Sequence, residues 1–539
     1  MKSSRAKWLG LVVISLAVSL IIVDSTIVNV AIPSIVDELK ITSTQVQWVQ
    51  ESYTLVFAAL LLVFGTLADR IGRRKLMVIG VVIFALSSVL AAAAQTGDLL
   101  IGSRVLQGVG GAMILPSTLS IINATFRGRD RAIAFAIWGS TIGGMAAVGP
   151  ILGGWLTTYF SWRWAFGINV PLGIVIIIGV TLYVLESREP DTRGIDYVGA
   201  ALSVITSGAL VFGLIEGRTY GWWLANKVPD LGSWKWPFEL SPIPIVFLIA
   251  LLGLIGFIAW GIRRERAGKN TMLAFGLFRI ASFRNGNIVA MIVSLGEYGI
   301  ILSLPLWLQN VLGYSALQTG FVILALALGS FVASGLAGTY ANKVSPVWIV
   351  RIGILAEITG IVIVGLMISP TTEWWQIALG LAIYGFGIGL ATAQLTGVIL
   401  VDVPVEKSGQ GSGTQSTSRQ IGSALGIAIL GTILFASVGS SLQARIADSP
   451  LPDATKTQIV DAVVDSAGNA IPGLKVRDAA IYLDAQEAFS DGTRYSAFAA
   501  AGFLAVGLLA TLRLDSKLEE HDENGKPVEE DAAAAKCAS

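Results

Sequence analysis

Five charged residues lie inside stretches that are otherwise apolar: Asp24, Glu51, Arg104, Glu297 and Glu357. A charge at the centre of a membrane helix costs about 2.5–3.5 kcal/mol on insertion scales, so such residues are usually paired and functional. Shielding favours the neutral form of an acid, and a nearby Arg favours its charged form. A carboxylate that alternates between those settings can take a proton on one side of a barrier and release it on the other. Asp24 is about sixteen residues into its segment, about 24 Å from the inner end at about 1.5 Å per residue. Glu51 and Arg104 fall at a similar level of neighbouring segments, so the three charges are expected to meet inside the first half of the chain. Two plainer readings stand beside this one: Glu51 touches outer headgroups, or Asp24 and Arg104 form a purely structural ion pair.

Glu297, in Gly296-Glu297-Tyr298, is about thirteen residues into its segment and near the midplane, where transporter substrates bind. It neutralises a cationic substrate, exchanges a proton for one, or simply bonds to a neighbouring helix. Glu357 sits closer to the inside and is a weaker candidate for the same work. Tyr53, Trp138, Phe212 and Trp307 are candidate cavity-facing aromatics, with core or lipid contact as the other reading for each.

The acids sit in a repeated frame. Gly65-Thr66-Leu67-Ala68-Asp69-Arg70 and Gly338-Thr339-Tyr340-Ala341-Asn342-Lys343 are half-similar and lie 273 residues apart. The same shift carries Asp24 onto Glu297. A duplicated membrane bundle with an acid at matching depth in each half is the layout of a secondary transporter.

The elements that must position these residues are membrane helices. Of 539 residues 54% are hydrophobic and 14% charged, and repeated apolar runs of about 20 residues are the transmembrane signature. We count fourteen spans, at 8–32, 48–68, 76–94, 99–123, 132–157, 164–185, 197–215, 242–262, 284–305, 319–341, 349–369, 376–401, 419–438 and 496–514. The segment from Trp8 lacks a small-residue cleavage site, so it is expected to be the first span and not a removed signal. Basic clusters at 70–75, 127–131 and 263–284 fall on one side, which places both termini in the cytoplasm. A net charge of +1 gives no sign of nucleic-acid binding. The single Cys537 and single His521 are both in the tail, which leaves no disulfide and no Cys/His metal site.

Residues 1–190 form an N-terminal six-helix bundle and 283–514 a C-terminal one, with a long outer loop at 439–495. Residues 191–282 are an inserted helix pair with linkers, and 515–539 a disordered cytoplasmic tail. The loop 439–495 holds short amphipathic helices or is mobile. Outer loop 216–241 carries Trp222, Trp223, Trp234 and Trp236; indoles favour the bilayer interface, and substrate binding is the rival reading.

Gly65, Asp69, Arg70, Gly72 and Arg73 form a candidate conformational latch. Gly65 and Asp69 are four apart, as are Asp69 and Arg73, so a helix puts each pair on one face. Gly65 permits close helix approach. Asp69 can accept bonds from a helix N-terminus or pair with Arg73. Simple positive-inside topology accounts for the basic residues but not for Gly65 or Asp69. In the second copy Asn342 replaces the acid, so the latch is expected to be asymmetric.

Gly65 to Lys75 resembles the signature loop between spans 2 and 3 of the major facilitator superfamily. Arg104-Val-Leu-Gln107-Gly108-Val-Gly-Gly-Ala112 resembles its span-4 motif, and Gly149-Pro150-Ile-Leu-Gly153-Gly154 its span-5 antiporter motif. Leu20 to Pro33, around Asp24 and Asn29, is similar to span 1 of the fourteen-span drug:proton antiporters. Ile195-Asp196-Tyr197, Phe283-Arg284-Asn285-Gly286-Asn287, Gly313 to Gly320 and Ser416-Thr417-Ser418-Arg419-Gln420-Ile421-Gly422 add further matches. One departure is Met145, where the span-5 motif usually has Gly; Gly143 and Gly144 stand just before it.

The resemblance implies an all-α integral membrane protein of two six-helix bundles plus two inserted helices. It also implies proton coupling at Asp24 and, in members with an acid at the matching span-2 position, at Glu51. Gly149, Pro150, Gly153 and Gly154 would line the interface between the halves and block leakage. The expected function is proton-coupled export of amphiphilic or cationic drugs by a monomer in a bacterial plasma membrane. Its partners are small-molecule substrates, protons and the lipid bilayer. No Walker-type phosphate loop and no nucleophile–base constellation occurs, so neither a cofactor nor an enzyme activity is expected. The rivals are a dedicated exporter of a metabolite, amino acid or lipid, and a membrane receptor or scaffold, which would not need matched intramembrane acids. Glu297→Gln is expected to lower efflux of cationic compounds severalfold more than efflux of neutral ones in whole cells; equal losses would make Glu297 a general coupling group.

Overall fold

The computed structural model describes residues 4–41, 43–188, 196–225, 230–231, 234–340 and 344–514. Ile195, Ala341, Asn342 and Lys343 of the quoted motifs lie outside the described residues, as do the tail 515–539 and the Trp234 side chain. A long apolar segment must satisfy its own backbone where water is absent, so it folds as a helix. The first group is α1 (Ser4–Leu39), α2 (Ser43–Ile71), α3 (Arg73–Ala92), α4 (Gly97–Thr125), α5 (Gly128–Tyr159), α6 (Arg163–Gly167) and α7 (Asn169–Tyr183). Then come α8 (Tyr197–Tyr220), a short antiparallel ribbon of β1 (Asp230–Leu231) and β2 (Trp234–Lys235), and α9 (Ile243–Arg266). The last group is α10 (Ala281–Asn310), α11 (Ala316–Tyr340), α12 (Pro346–Met367), α13 (Trp374–Leu400), α14 (Ser408–Arg445), α15 (Asp453–Asp465), α16 (Ile471–Arg477) and α17 (Ala479–Ala510).

Among the described residues thirteen helices are long and apolar enough to cross a membrane. The remaining expected span, 132–157, corresponds to α5, a helix of 32 residues. Expected span 164–185 is broken at Ile168 into α6 and α7, two residues before Val170-Pro171. Proline is tolerated in a first helical turn, where its missing N–H has no partner to lose.

Packing separates two bundles and a bridge. α1 packs on α5 and α7, and α4 on α2 and α3; α13 packs on α11 and α12, and α10 on α14 and α17. Between the bundles α5 meets α11 and α13, and α14 meets α2 and α4. The inserted pair packs α8 on α9, and α8 also touches α2 and α14.

The segment 439–495 holds short helices, one of its two expected forms, and the flanking helices run further into it than the expected spans 419–438 and 496–514. α14 continues to Arg445, α17 begins at Ala479, and α15 and α16 lie between them. Its apolar residues recur at helical spacing and find a place to bury: Val463, Ile471, Ala485 and Phe489 are all sealed from solvent. Asn310 donates to the Ala467 carbonyl at 3.0 Å, and Arg445 pairs with Asp491 at 2.9 Å, which ties the cap to the bundle. In the loop 216–241, Trp222 stacks on Phe247 of α9, Trp223 is exposed, and Trp236 donates to the Leu240 carbonyl.

Glycines let α12 and α13 approach closely. A Cβ on Gly353 would come within 2.7 Å of the Ala391 nitrogen, and one on Gly360 within 2.7 Å of the Tyr384 Cα. On α13, a Cβ on Gly387 would come within 2.6 Å of Glu357 Cγ. Gly360→Leu is therefore expected to force the two helices apart and destabilise the bundle by about 1–3 kcal/mol, as overpacking does. A drop in the thermal midpoint of the detergent-purified protein would register it; an unchanged midpoint would mean the seam yields without cost.

Candidate functional site

The first bundle is built around one carboxylate. Asp24 is fully buried, and Arg104 of α4 reaches it from Nη1 at 2.5 Å. Gln107, one turn on, accepts from Arg104 at 2.8 Å and donates to Asp24 Oδ1 at 3.0 Å. Asn169, at the start of α7, donates to the same oxygen at 2.7 Å. Ser88 of α3 accepts from both amides. Arg104 also donates from Nε to the Val49 carbonyl and lies 4.3 Å over the Tyr53 ring. Five helices thus contribute to one buried network whose carboxylate is matched by charge and by hydrogen bonds. Such matching is what makes a buried ion pair tolerable, and removing one partner is then strongly unfavourable.

Glu51 does not join it. Val49 and Tyr53 of α2 face Arg104, and Glu51, two residues from each, points to the other side of that helix. There it lines a small cavity with Trp48, Leu55, Phe212, Ile215 and the buried Glu216, between α2 and α8. Phe212 stacks with Trp48 at this cavity, with ring centroids 6.2 Å apart. Helix phase turns Glu51 away from the Asp24 network that it was expected to join.

In the second bundle Glu297 is buried on α10 and already paired. Arg419 of α14 donates to Oε2 at 3.2 Å, Thr392 of α13 donates to Oε1 at 3.2 Å, and the Tyr384 hydroxyl donates to the Glu297 carbonyl at 3.1 Å. A cationic substrate at this acid has to displace Arg419. Glu357 is fully buried on α12, beyond α13.

Two aromatic candidates belong to the core. Trp138 is buried with its ring N–H on Thr118, and Trp307 is buried with its ring N–H on Ser490 of α17. A buried indole needs an acceptor, and a neighbouring helix supplies one in each case. Tyr53 is buried between Arg104 and Phe57.

The latch residues bridge the bundles. Asp69 accepts from the main-chain N–H of Gly409 at 2.7 Å and of Gln410 at 3.0 Å, at the N-terminus of α14. Arg73 donates to Asp69 at 2.8 Å and to the Val405 carbonyl at 2.5 Å. Both roles considered for Asp69 are therefore filled at once. A Cβ on Gly65 would lie 2.6 Å from the Gly409 carbonyl oxygen, so only glycine lets α2 and α14 meet this closely. Gly72 has φ of 116° and turns the chain into α3, where Glu186 caps the Arg74 and Lys75 N–H groups at 3.1 Å. Arg70, half-buried, ends α2. At α5, Gly149 and Gly153 lie against Thr26 and Ile27 of α1, while Pro150 and Gly154 face Gly320 and Leu317 of α11.

The strap between α9 and α10 joins the latch. Thr66 donates to the Met272 carbonyl at 2.6 Å, and the Gln410 side chain accepts from the Ala274 N–H at 3.0 Å. Asp196, which caps α8, accepts from Trp260 of α9 and from the Met272 N–H.

Gln107, Asn169, Ser88, Arg419, Thr392 and Tyr384 had no role assigned from sequence. Gln107 sits one helical turn beyond Arg104, and Asn169 is a lone amide in an apolar span; both are visible signals. Thr392 and Ser88 carry none, because a single hydroxyl in a membrane helix usually bonds its own backbone.

A family model described as Major Facilitator Superfamily matches residues 14–427. The multidrug resistance protein Stp of Mycobacterium tuberculosis is 30% identical over 521 residues, covering 95% of this chain and 92% of that protein. The multidrug efflux pump LfrA of Mycolicibacterium smegmatis is 31% identical over 474 residues, covering 84% and 90%. Among solved structures, the human organic anion transporter MFSD10 (TETRAN) superposes with a TM-score of 0.57 at 13% identity, covering 94% of this chain and 98% of that one.

Asp69→Asn removes charge-assisted bonds worth about 1.5–3 kcal/mol each, a factor of roughly 10–150 in the closed population. Spin labels on the facing ends of α2 and α14 are expected to report a new, longer distance in this variant. An unchanged distance distribution would remove Asp69 from the latch.

Proposed function

The chain belongs to the major facilitator superfamily, and we propose that it works there as a proton-coupled antiporter, exporting amphiphilic or cationic drugs from the cytoplasm by alternating access. The buried Asp24–Arg104 network carries this reading. Its carboxylate is matched while Arg104, Gln107 and Asn169 surround it. Rearrangement of α1 against α4 and α7 would strip those donors, and the acid would then take up a proton. Arg104 has alternative acceptors at Gln107 and the Val49 carbonyl, so it need not be left unpaired when Asp24 is neutral. That is a two-state site in the sense coupling requires: each protonation state favours a different packing.

The two closures supply the alternation. One is the Asp69–Arg73 contact with the N-terminus of α14. The other is the packing of α5 on α11 through Gly154 and Pro150. Their alternate release opens a path to one side at a time. Relatives named for multidrug resistance and efflux support drugs as the cargo, and Glu297 with Arg419 gives the second bundle a charged contact for them.

In this reading α5 is the fourteenth span. Its 32 residues reach about 48 Å at about 1.5 Å per residue, more than the ~30 Å hydrocarbon core. An even number of spans puts both termini on one side, and the basic clusters make that side the cytoplasm of a bacterial cell, with the spans in its plasma membrane. Both acid networks are complete within one chain, so a monomer suffices, and the proton gradient is the only drive the site calls for.

Ethidium efflux from vesicles with an imposed pH gradient and no ATP tests the proposal. Wild type is expected to move ethidium against its gradient, and Asp24→Asn to lose that movement by tenfold or more while still inserting. Normal gradient-driven efflux in the variant would remove Asp24 from the mechanism. No transport by wild type under any gradient would favour a dedicated exporter of another cargo.

A further inference from the structure

Three acids lie deep in the bundles, and they are not equally provided for. Asp24 has three side-chain donors, and Glu297 has two. Glu357 is fully buried, and neither of its carboxylate oxygens has a hydrogen-bond partner among the described residues. It lies in the α12–α13 seam, where Gly387 presses against its side chain and Gly353, one turn earlier, meets Ala391.

The charged groups that act on Glu357 are Glu297 from α10 and Arg419 from α14. Tyr384 from α13 stands beside both acids, with Tyr298 of α10 next to it. α17 and the turn after it also pack along α12, with Phe498 at Gly365 and Thr511 accepting from Arg351. Arg419 is already committed to Glu297 at 3.2 Å. An ionised carboxylate here would therefore be desolvated, without a donor, and close to a second negative charge. Such a group gives up its charge rather than remain unpaired. The neutral acid is the form that fits the closed seam.

We propose that Glu357 is a second proton-binding site, loaded while α12 and α13 are closed on each other and emptied when that seam opens, so that one export cycle moves two protons. The inference rests on the proton-coupled reading above and deepens it. α13 makes the connection. It holds Glu297 through Thr392 and Tyr384, and one turn from Tyr384 it covers Glu357 with Gly387. A shift of α13 that frees Glu297 to meet a substrate must also loosen the cover over Glu357. The O–H bond of Glu357 then breaks, the proton passes to water, and the carboxylate is hydrated until the seam re-forms around a newly bound proton.

The test is a reversal measurement on full-length protein in proteoliposomes, with ethidium as probe and the membrane potential clamped at zero. At a gradient of one pH unit each coupled proton is worth about tenfold in the ethidium ratio at which net flux reverses. Wild type is expected to reverse near about 100-fold, Glu357→Gln near about tenfold, and Glu357→Asp near the wild-type value. The same reversal ratio in wild type and Glu357→Gln would overturn the inference and leave proton coupling standing, as would a wild-type ratio of about tenfold. No proton-driven flux in wild type would sink the coupling reading and this inference with it. If Glu357→Gln does not assemble, infrared spectra of the reconstituted protein decide. A protonated carboxyl band that persists at neutral pH, survives Asp24→Asn and shifts in Glu357→Asp supports the site; its absence overturns it.

Discussion

A charge taken out of water has to be matched inside the protein, and the arrangement of both bundles follows from that requirement. Asp24 on α1 is tolerable because α3, α4 and α7 converge on it with Ser88, Arg104, Gln107 and Asn169. Those contacts in turn fix where α4 and α7 cross α1, and the break before α7 places Asn169 at the right height. The network is one reason the first bundle packs as it does, and its bonds join five helices.

The second constraint is distance. Helices that meet backbone to backbone leave no room for interdigitated side chains, and the closest contact between the bundles is lined with glycine. Gly65 against Gly409 and Gly413 brings the α2 and α14 backbones together with no side-chain knob between them. What then holds a closed state is a small number of directional bonds, of which Asp69 to the N-terminus of α14 is the clearest. A helix N-terminus offers unpaired N–H groups and a partial positive charge, so a carboxylate is its natural partner. That bond can be broken and remade without disturbing either helix.

The inserted pair α8–α9 is fastened to the same place. Its strap reaches α2 through Thr66 and α14 through Gln410, the residue whose N–H also binds Asp69. Asp196 locks the two inserted helices and the strap together. The pair is therefore a third party to the contact between the bundles, and α8 brings Phe212 and Glu216 to the cavity where Glu51 lies.

Much of this was legible in the residues. Apolar runs, the repeat at 273 residues and the motif spacing specify a duplicated helical membrane bundle, because hydrophobic length and backbone satisfaction leave no other solution. Spacing along a helix also follows from sequence, so a meeting of Asp24 with Arg104 was predictable, as was the face shared by Gly65, Asp69 and Arg73. Rotation about the helix axis was not. It separated Glu51 from Asp24, sent Trp138 and Trp307 into the core, and paired Glu297 with Arg419, since phase is set by the neighbours a helix meets. Short helices in 439–495 were one of two readings of a polar segment, and a bundle end that buries Val463 and Ile471 decides for them. Sequence thus determined which charges stand in the apolar segments. Tertiary packing alone decided which of them found hydrogen-bond partners among the described residues and which, like Glu357, did not.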